Sequence, residues 1–313
     1  MKKTDKIDMA TGKATPKPKP KPKKAQIVAG KAVKTPKTNA GIEREFRRKL
    51  QEFSTACNRS LSWWLKSKFT AGNADKNLSK SLEKEFKRLS EYWIQKADEL
   101  GCAYLPKMLN KIGKSADLAF LAAGVDFDIK RKTQALKSEM EAQIRENLAL
   151  IQSIPRESIR RYESALYSWA AQYDRQALTE QIAAINAELE TNAQISLRRC
   201  KMIARDQTAK AVNAYSRARA QSLGFEYYQW VSAHDERVST GYGGHKQLNG
   251  RYYRLDTPTA IIDSYGHVGH PAKRPNCRCT QACIFLMPNE KMELVHDSAA
   301  GDYYKLVKTD DEN

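Results

Sequence analysis

Histidine and cysteine side chains, whose nitrogen and sulfur atoms bind metal ions, are concentrated in one stretch of this 313-residue sequence. Four of the five histidines fall between His234 and His270, and three of the six cysteines fall between Cys277 and Cys283. Zinc takes three or four such ligands in a tetrahedron. The candidates for a metal site or a structural staple are His245, His270, Cys277 and Cys279, with His267 and Cys283 as further candidates.

The spacing of the cysteines restricts how they can act together. Structural zinc sites usually present C-x2-C pairs, whereas Cys277 and Cys279 form a C-x-C pair. Alternate neighbours in an extended strand point to opposite faces, so these two thiols can share a metal only across a turn. Cys279 and Cys283 offer a C-x3-C alternative.

Three kinds of site fit these residue types. A structural metal site would hold zinc. Reduced, partly buried cysteines beside a hydrogen-bonding histidine would need no cofactor. A catalytic thiol would need a base and an oxyanion donor beside it, and no motif in the sequence singles out that arrangement. The sequence leaves the first two interpretations open and gives less support to the third.

The residues around the cluster have the composition of short strands. FEYYQWVSA is rich in aromatic and β-branched residues, and CTQACIFL predicts a further strand. Between them, LNGRYYRLD places the hairpin-type turn signal Asn249-Gly250 before another short strand. Residues 224–286 are therefore interpreted as a small β-rich module. A module of this size buries little apolar core, so we expect a staple within it. Residues 287–313 are interpreted as a C-terminal tail.

Long helices must precede and position this module. Apolar residues recur at three- and four-residue steps over most of residues 41–223. Residues 41–125 form a helical region of unassigned role. Residues 126–223 form a second one, with a helix predicted from Asp126 to Ser153 and a break at Pro155. The predicted fold class is α+β, with a long helical N-terminal and central region followed by a small β-rich C-terminal module.

The first forty residues carry much of the positive charge. They contain twelve lysines and two aspartates, which gives this segment +10 of the net +18. We interpret residues 1–40 as a disordered Lys/Pro-rich tail, because they lack an apolar period. Such a tail attracts DNA, RNA or acidic protein surfaces, although a merely solubilising leader is an equal alternative. The lysines expected to bind nucleic acid are Lys17, Lys19, Lys21, Lys23 and Lys24.

Targeting signals are not evident in the sequence. No run of eighteen apolar residues occurs, so no membrane span is expected. The lysine-rich start is not followed by an apolar segment of the kind that a secretory signal needs. We therefore expect the product to stay in the cytoplasm where it is made, and free thiols or metal ligands are more common there than disulfides.

A set of short motifs follows one order from residue 204 onward. A helix containing ARDQT leads through a glycine to a tryptophan-containing strand, and then come DERV, a histidine ahead of L-x-G, and a closing HP…NCRC. The positions are Ala204–Thr208, Gly224, Trp230, Asp235–Val238, His245, Leu248, Gly250 and His270–Cys279. This ordered set resembles the phage Mu F-like minor head proteins, also described as phage head morphogenesis proteins. The resemblance covers about residues 195–285, and residues 1–125 have no counterpart in it.

This resemblance implies a non-enzymatic structural protein of a tailed-phage virion. Such proteins are minor head components at the portal vertex or capsid interior, and they act in head morphogenesis and sometimes in DNA packaging or ejection. The implied partners are the portal protein, other head proteins and, through the basic tail, phage DNA. The alternative is a metal-dependent nuclease or injected toxin that uses the His/Cys cluster.

Overall fold

The computed structural model describes residues 32–36, 39–69, 78–130, 132–170 and 178–309. The lysines expected to bind nucleic acid lie outside these residues. The described part combines long helices with an antiparallel sheet, which confirms the α+β fold class. None of the described helices is long and apolar enough to cross a membrane.

Four long helices of the described residues lie side by side in a bundle. They are α1 (Ala40–Phe69), α2 (Leu78–Ala122), α3 (Gln134–Ala170) and α4 (Leu178–Ser222). Lys111 of α2 pairs with Glu45 near the start of α1, whereas Phe86 packs against Trp64 near its end, so α1 and α2 are antiparallel. The apolar stripes of the helices meet in two buried clusters along the bundle.

The helical region of unassigned role supplies half of this bundle. Helices α1 and α2 both lie within residues 40–122, and they bury their apolar faces against α3 and α4. Cys200 of α4 approaches the backbone carbonyl of Leu50 on α1, and Gln152 of α3 donates a hydrogen bond to Asp98 of α2. Residues 41–125 therefore give α3 and α4 the apolar surface that they pack against.

Two predicted helix boundaries differ from the structure. Pro155 lies inside α3 instead of ending a helix, because Ile154 before it and Ile159 after it are buried in the bundle and their packing outweighs the lost backbone hydrogen bond. The helix expected from Asp126 begins at Gln134. The hydroxyl of Thr133 accepts a hydrogen bond from the backbone N–H of Leu136, which is the geometry of an N-cap.

The described strands form a six-stranded antiparallel sheet with the order β1-β4-β2-β3-β6-β5. A short helix, α5 (His245–Leu248), lies between β2 and β3. Strands β2, β3 and β4 coincide with the three segments predicted from the sequence. The strands are β1 (Val33–Lys34), β2 (Tyr227–Val231), β3 (Tyr252–Arg254), β4 (Thr280–Ile284), β5 (Glu290–Val295) and β6 (Tyr303–Lys308).

The sheet is larger than the predicted module of residues 224–286, and the assignment of residues 287–313 to a tail was wrong. Strands β5 and β6 pair along six residues each, and β6 joins the sheet where Tyr304 lies opposite Tyr252 of β3. The guanidinium of Arg251 stacks 4.3 Å from the ring centre of Tyr303 and holds the hairpin against β3.

The expected disorder of residues 1–40 also needs correction at one end. Val33 and Lys34 form strand β1 and pair with Cys283 and Ala282 of β4. Val33 is buried there, so its side chain extends the apolar core of the sheet. Strand β1 thus forms the edge of the sheet beside β4.

The bundle and the sheet share one apolar core. Phe120 and Val125 at the end of α2, together with Phe225 after α4, pack into the same cluster as the sheet residues. Just inside this junction, Arg219 of α4 makes a two-pronged ion pair with Asp117 of α2, with N–O distances of 2.8 and 3.1 Å. The two side chains are only 2% and 3% exposed, so this pair joins the ends of α2 and α4 away from water.

Candidate metal centre

Three of the candidate ligands converge beneath the start of α5. His245 Nδ1 lies 3.3 Å from Cys277 Sγ and 3.5 Å from Cys279 Sγ. The three possible ligand atoms all lie within 4.8 Å of one another, and all three residues are buried. We call His245, Cys277 and Cys279 the His-Cys-Cys triad.

The imidazole of His245 is held in one orientation by its surroundings. Its Nε2 lies 3.1 Å from the backbone carbonyl of Ile262, which can only accept a hydrogen bond, so Nε2 carries the proton. Nδ1 then presents its lone pair to the two sulfur atoms. The indole of Trp230 packs edge-on against the ring at a centroid distance of 5.3 Å and fixes its plane.

A turn brings the C-x-C pair to one side. Cys277 donates its backbone N–H to the carbonyl of Arg274, and Asn276 has a left-handed φ of 63°. Cys277 and Cys279 lie in the irregular segment between this turn and β4, while Arg278 between them pairs with Asp235. Because this segment is not a regular strand, the side chains of Cys277 and Cys279 can both face His245.

The ARDQT segment of α4 holds this turn in place. The carboxylate of Asp206 accepts a 2.9 Å hydrogen bond from the backbone N–H of Asn276, and the Arg205 guanidinium contacts the Asn276 side chain. Further along the same helix, the backbone carbonyl of Asn213 accepts a hydrogen bond from Gln281 of β4. The motif whose role the sequence did not reveal is a positioning element for the cysteine loop.

The pKa values of the two thiols in the triad are shifted in opposite directions. A hydrogen bond from Cys279, aided by His245, lowers the pKa of the Cys277 thiol despite its burial. The same hydrogen bond, together with burial, raises the pKa of Cys279. The arrangement favours a thiolate on Cys277 stabilised by a thiol on Cys279, and a thiolate is the form of cysteine that binds metals.

His270 is not part of the triad, contrary to the prediction from the sequence. Its Nδ1 lies 3.1 Å from the hydroxyl of Tyr228 on β2, and its ring packs against the Tyr228 ring. Burial, followed by the charges of Arg217 and Lys273, lowers the pKa of His270 to about 3. The residue is a neutral hydrogen-bonding side chain on another part of the sheet.

The two further candidates also have other roles. His267 Nδ1 lies 2.8 Å from the carboxylate of Asp263, and the His267 side chain is exposed. Cys283 is fully buried on β4, where burial raises the pKa of its thiol to about 12. Sequence spacing alone could not distinguish His267 and Cys283 from the members of the triad, because all of these residues lie close together along the chain.

The pKa of His270 predicts sensitivity to acid. As pH falls below the ordinary value of 6.5, the unfolded chain binds a proton that the folded chain resists down to about pH 3. We expect the free energy of unfolding to decrease by about 1.4 kcal/mol per pH unit through this window, and this component to vanish in His270→Gln. Denaturant unfolding at pH 7 and pH 5 measures it. The exposed His234 provides the control: a His234→Gln variant that lost the acid sensitivity equally would contradict the assignment.

A cavity of about 180 Å³ lies directly beside the triad. His245, Cys277 and Cys279 form part of its wall, and Ser239 and Arg237 form another part. Ser239 also accepts the backbone N–H of His245 and thereby fixes the first residue of α5. The triad is thus buried on one side and on the other adjoins a cavity whose wall includes polar side chains.

Comparisons with known proteins agree with the motif order. Residues 175–282 match the family model described as Phage Mu protein F like protein. An uncharacterized protein of Haemophilus influenzae is 27% identical over 151 residues, which are 48% of this chain and 30% of that relative. No solved structure matches the chain. Residues 175–282, about one third of the chain, are therefore similar to the Mu F-like proteins, as the resemblance predicted.

Proposed function

We propose that this chain is a non-enzymatic structural protein of a tailed-phage head that acts in head morphogenesis from the capsid interior near the portal vertex. Its partners in this proposal are the portal protein and other head proteins. The Mu F-like region at residues 175–282 supports the assignment to the head. The position at the portal, and any part in DNA packaging or ejection, rest on the family resemblance.

The observation that carries the proposal is the way the family motifs are used. Asp206 of the ARDQT segment binds the turn before Cys277, and Asp235 of DERV pairs with Arg278 between the two cysteines. Trp230 and His245 pack against each other in the same core. The Asp206 contact joins the helical bundle to the loop before β4, and the other two hold that loop and α5 together, which suits a rigid element that transmits position between partners.

The nuclease or toxin alternative has less support. It places His245 and His270 at one catalytic centre. In the fold, His245 contacts two cysteines, whereas His270 contacts Tyr228. The two histidines therefore belong to two separate hydrogen-bonded groups and do not form one centre.

The function is tested by removing the gene product from a phage that encodes it. A stop codon early in the gene is expected to yield heads that are absent or aberrant by electron microscopy. Expression of the intact chain from a plasmid is expected to restore them. Normal, DNA-filled and infectious heads in its absence would overturn the proposal.

We also assign the basic tail to DNA contact inside the head. Five lysine-to-glutamine changes, at Lys17, Lys19, Lys21, Lys23 and Lys24, are expected to weaken DNA binding by the full chain. The slope of log affinity against log salt is expected to fall by roughly 0.9 for each phosphate that the tail no longer neutralises. Titrations of duplex DNA at several salt concentrations measure both effects.

The control variant removes the same number of positive charges, five, from the helical bundle. It carries glutamine at five exposed lysines of the bundle: Lys84, Lys87, Lys107, Lys114 and Lys201. If the tail binds the DNA, this variant keeps nearly all of its DNA affinity. Equal weakening by both sets would assign the binding to overall charge and contradict a tail-specific role.

A further inference from the structure

We propose that the His-Cys-Cys triad binds one Zn²⁺ ion through His245 Nδ1 and the sulfur atoms of Cys277 and Cys279, and that the fourth coordination position opens to the adjoining cavity and holds water. This inference is independent of the proposed function. A head protein can use either a metal or hydrogen bonds to close its sheet.

The distances in the triad match a tetrahedral zinc site. With Zn–S near 2.3 Å and Zn–N near 2.0 Å, tetrahedral ligands place nitrogen and sulfur about 3.5 Å apart. His245 Nδ1 lies 3.3 and 3.5 Å from the two sulfur atoms. Both nitrogen-to-sulfur distances therefore already have the length that the ion imposes, and the two sulfur atoms lie within 4.8 Å of each other.

The surroundings of His245 are those of a metal-binding imidazole. Ligating histidines usually donate their second ring N–H to a carbonyl or carboxylate, which fixes the tautomer and strengthens the ligand. Here Nε2 donates to the carbonyl of Ile262, which is also bonded by Arg274 at 3.0 Å. The free lone pair on Nδ1 points toward the two sulfur atoms and away from solvent.

The charge of the proposed site suits its burial, since all three ligand residues are buried. Two thiolates and one neutral imidazole around Zn²⁺ give a site with no net charge, which a buried position tolerates. The ring of Trp230, which packs against the ligand His245, covers the site on the side away from the cavity.

The cavity beside the triad explains why the fourth position is open. Within the described residues, the group of possible ligands contains three members. The cavity of about 180 Å³ is larger than the roughly 30 Å³ that one water molecule occupies. Ser239 and Arg237 line it and can hydrogen-bond a zinc-bound water or exchange it for an anion.

The ion would connect two loops that are far apart in sequence. His245 begins α5, while Cys277 and Cys279 precede β4 and are held to α4 through Asp206 and Asn276. Binding energy at such a site adds directly to folding stability. A staple was expected because the small module buries little apolar core. That staple would then consist of the zinc ion and these three residues, without His270.

The test measures metal in the full-length protein purified under reducing conditions. Elemental analysis and native mass spectrometry are expected to give one zinc per chain, both in the wild type and in Cys102→Ser. That variant removes an exposed cysteine on α2 and is the matched control for thiol number. Cys277→Ser and Cys279→Ser are each expected to weaken zinc affinity by at least about 100-fold, since each removes a direct ligand. His270→Gln is expected to keep its zinc.

A second readout guards against variants that fail to fold. Co²⁺ added to the metal-free wild type is expected to give thiolate charge-transfer bands and the intense d–d bands of tetrahedral coordination. Azide is expected to shift the d–d bands by replacing the bound water. A spectrum unmoved by azide would overturn the open position.

Three results would overturn the zinc site itself. One is a wild-type protein that binds neither zinc nor cobalt after reduction and reconstitution. Another is full zinc retention in both cysteine variants. The third is a disulfide between Cys277 and Cys279 in the protein as it occurs in phage heads. None of these results bears on whether the heads need the chain, so the two proposals fail separately.

Discussion

The Asp117→Ala variant is expected to lose about 3–5 kcal/mol of unfolding free energy, because it leaves the Arg219 guanidinium buried without its carboxylate. The carboxylate also accepts a hydrogen bond from Tyr215, and Arg219 stacks on the Phe127 ring at 5.0 Å. Removal of Asp117 therefore affects a connected group that joins the ends of α2 and α4. Denaturant unfolding followed by circular dichroism measures the loss.

An exposed ion pair of the same bundle provides the comparison. Lys111 of α2 and Glu45 of α1 are 2.9 Å apart, and their side chains are 55% and 37% exposed. Glu45→Ala is expected to cost less than about 1 kcal/mol, as exposed pairs do. Similar losses in the two variants would show that the buried pair does not hold α2 and α4 together.

The Gly243→Ala variant is expected to distort the start of α5 and displace His245 from the two cysteines. Gly243 has a φ of +64°, and an added Cβ would overlap the backbone carbonyl of Asp263. Backbone atoms cannot rotate away as a side chain can, so the loop from residue 239 to 245 must shift. We expect a loss of more than about 2 kcal/mol, of which about 1–2 kcal/mol comes from the left-handed conformation alone.

Gly241 is a closely matched control, two residues earlier in the same loop. It has a φ of +68°, and nothing lies within 4 Å of where its Cβ would be. Gly241→Ala is therefore expected to cost only the conformational part. Thiol labelling adds a site-specific readout, because Cys277 and Cys279 should react faster in Gly243→Ala than in Gly241→Ala. Equal stability and equal labelling rates in the two variants would contradict the close packing described for this loop.

The sequence indicated the helical bundle because its apolar residues recur with a helical period over many turns. The sequence could not indicate which prolines and glycines would end a helix in the folded protein. Pro155 stays inside α3 because Ile151 and Ile154 are buried against other helices, and that burial depends on residues far away in the chain. Gly101 likewise lies inside α2, directly beneath Leu148 of α3, where the absence of a side chain permits close contact.

The C-terminal hairpin was missed for a different reason. The β5 sequence EKMELV contains three charged residues, and both hairpin strands are mostly half-exposed, so the alternation of apolar and polar side chains is weak. The hairpin is stabilised by its attachment to β3 and by the Arg251 contacts with Tyr303 and Asp297. Contacts between residues some fifty positions apart have no local signature.

The sequence predicted a cluster of histidine and cysteine side chains, but only three of its four main candidate residues come together in the structure. Strand geometry required Cys277 and Cys279 to lie outside a regular strand, and in the structure they lie in the irregular segment between the turn at Asn276 and β4. The choice between His245 and His270 did not follow, because both precede the cysteines at plausible distances. The decisive features are the Ile262 carbonyl, which orients His245, and the Tyr228 hydroxyl, which holds His270.

A structural component of a phage head must be present in the purified head, so the location of this protein decides whether the proposed function holds. Heads purified by density gradient from a phage that encodes the chain can be analysed by quantitative mass spectrometry. We expect the chain in these heads at a fixed, low number of copies relative to the major capsid protein. We also expect that number to be unchanged after a high-salt wash. A protein found in the lysate and absent from the purified heads would show that the chain is not a head component.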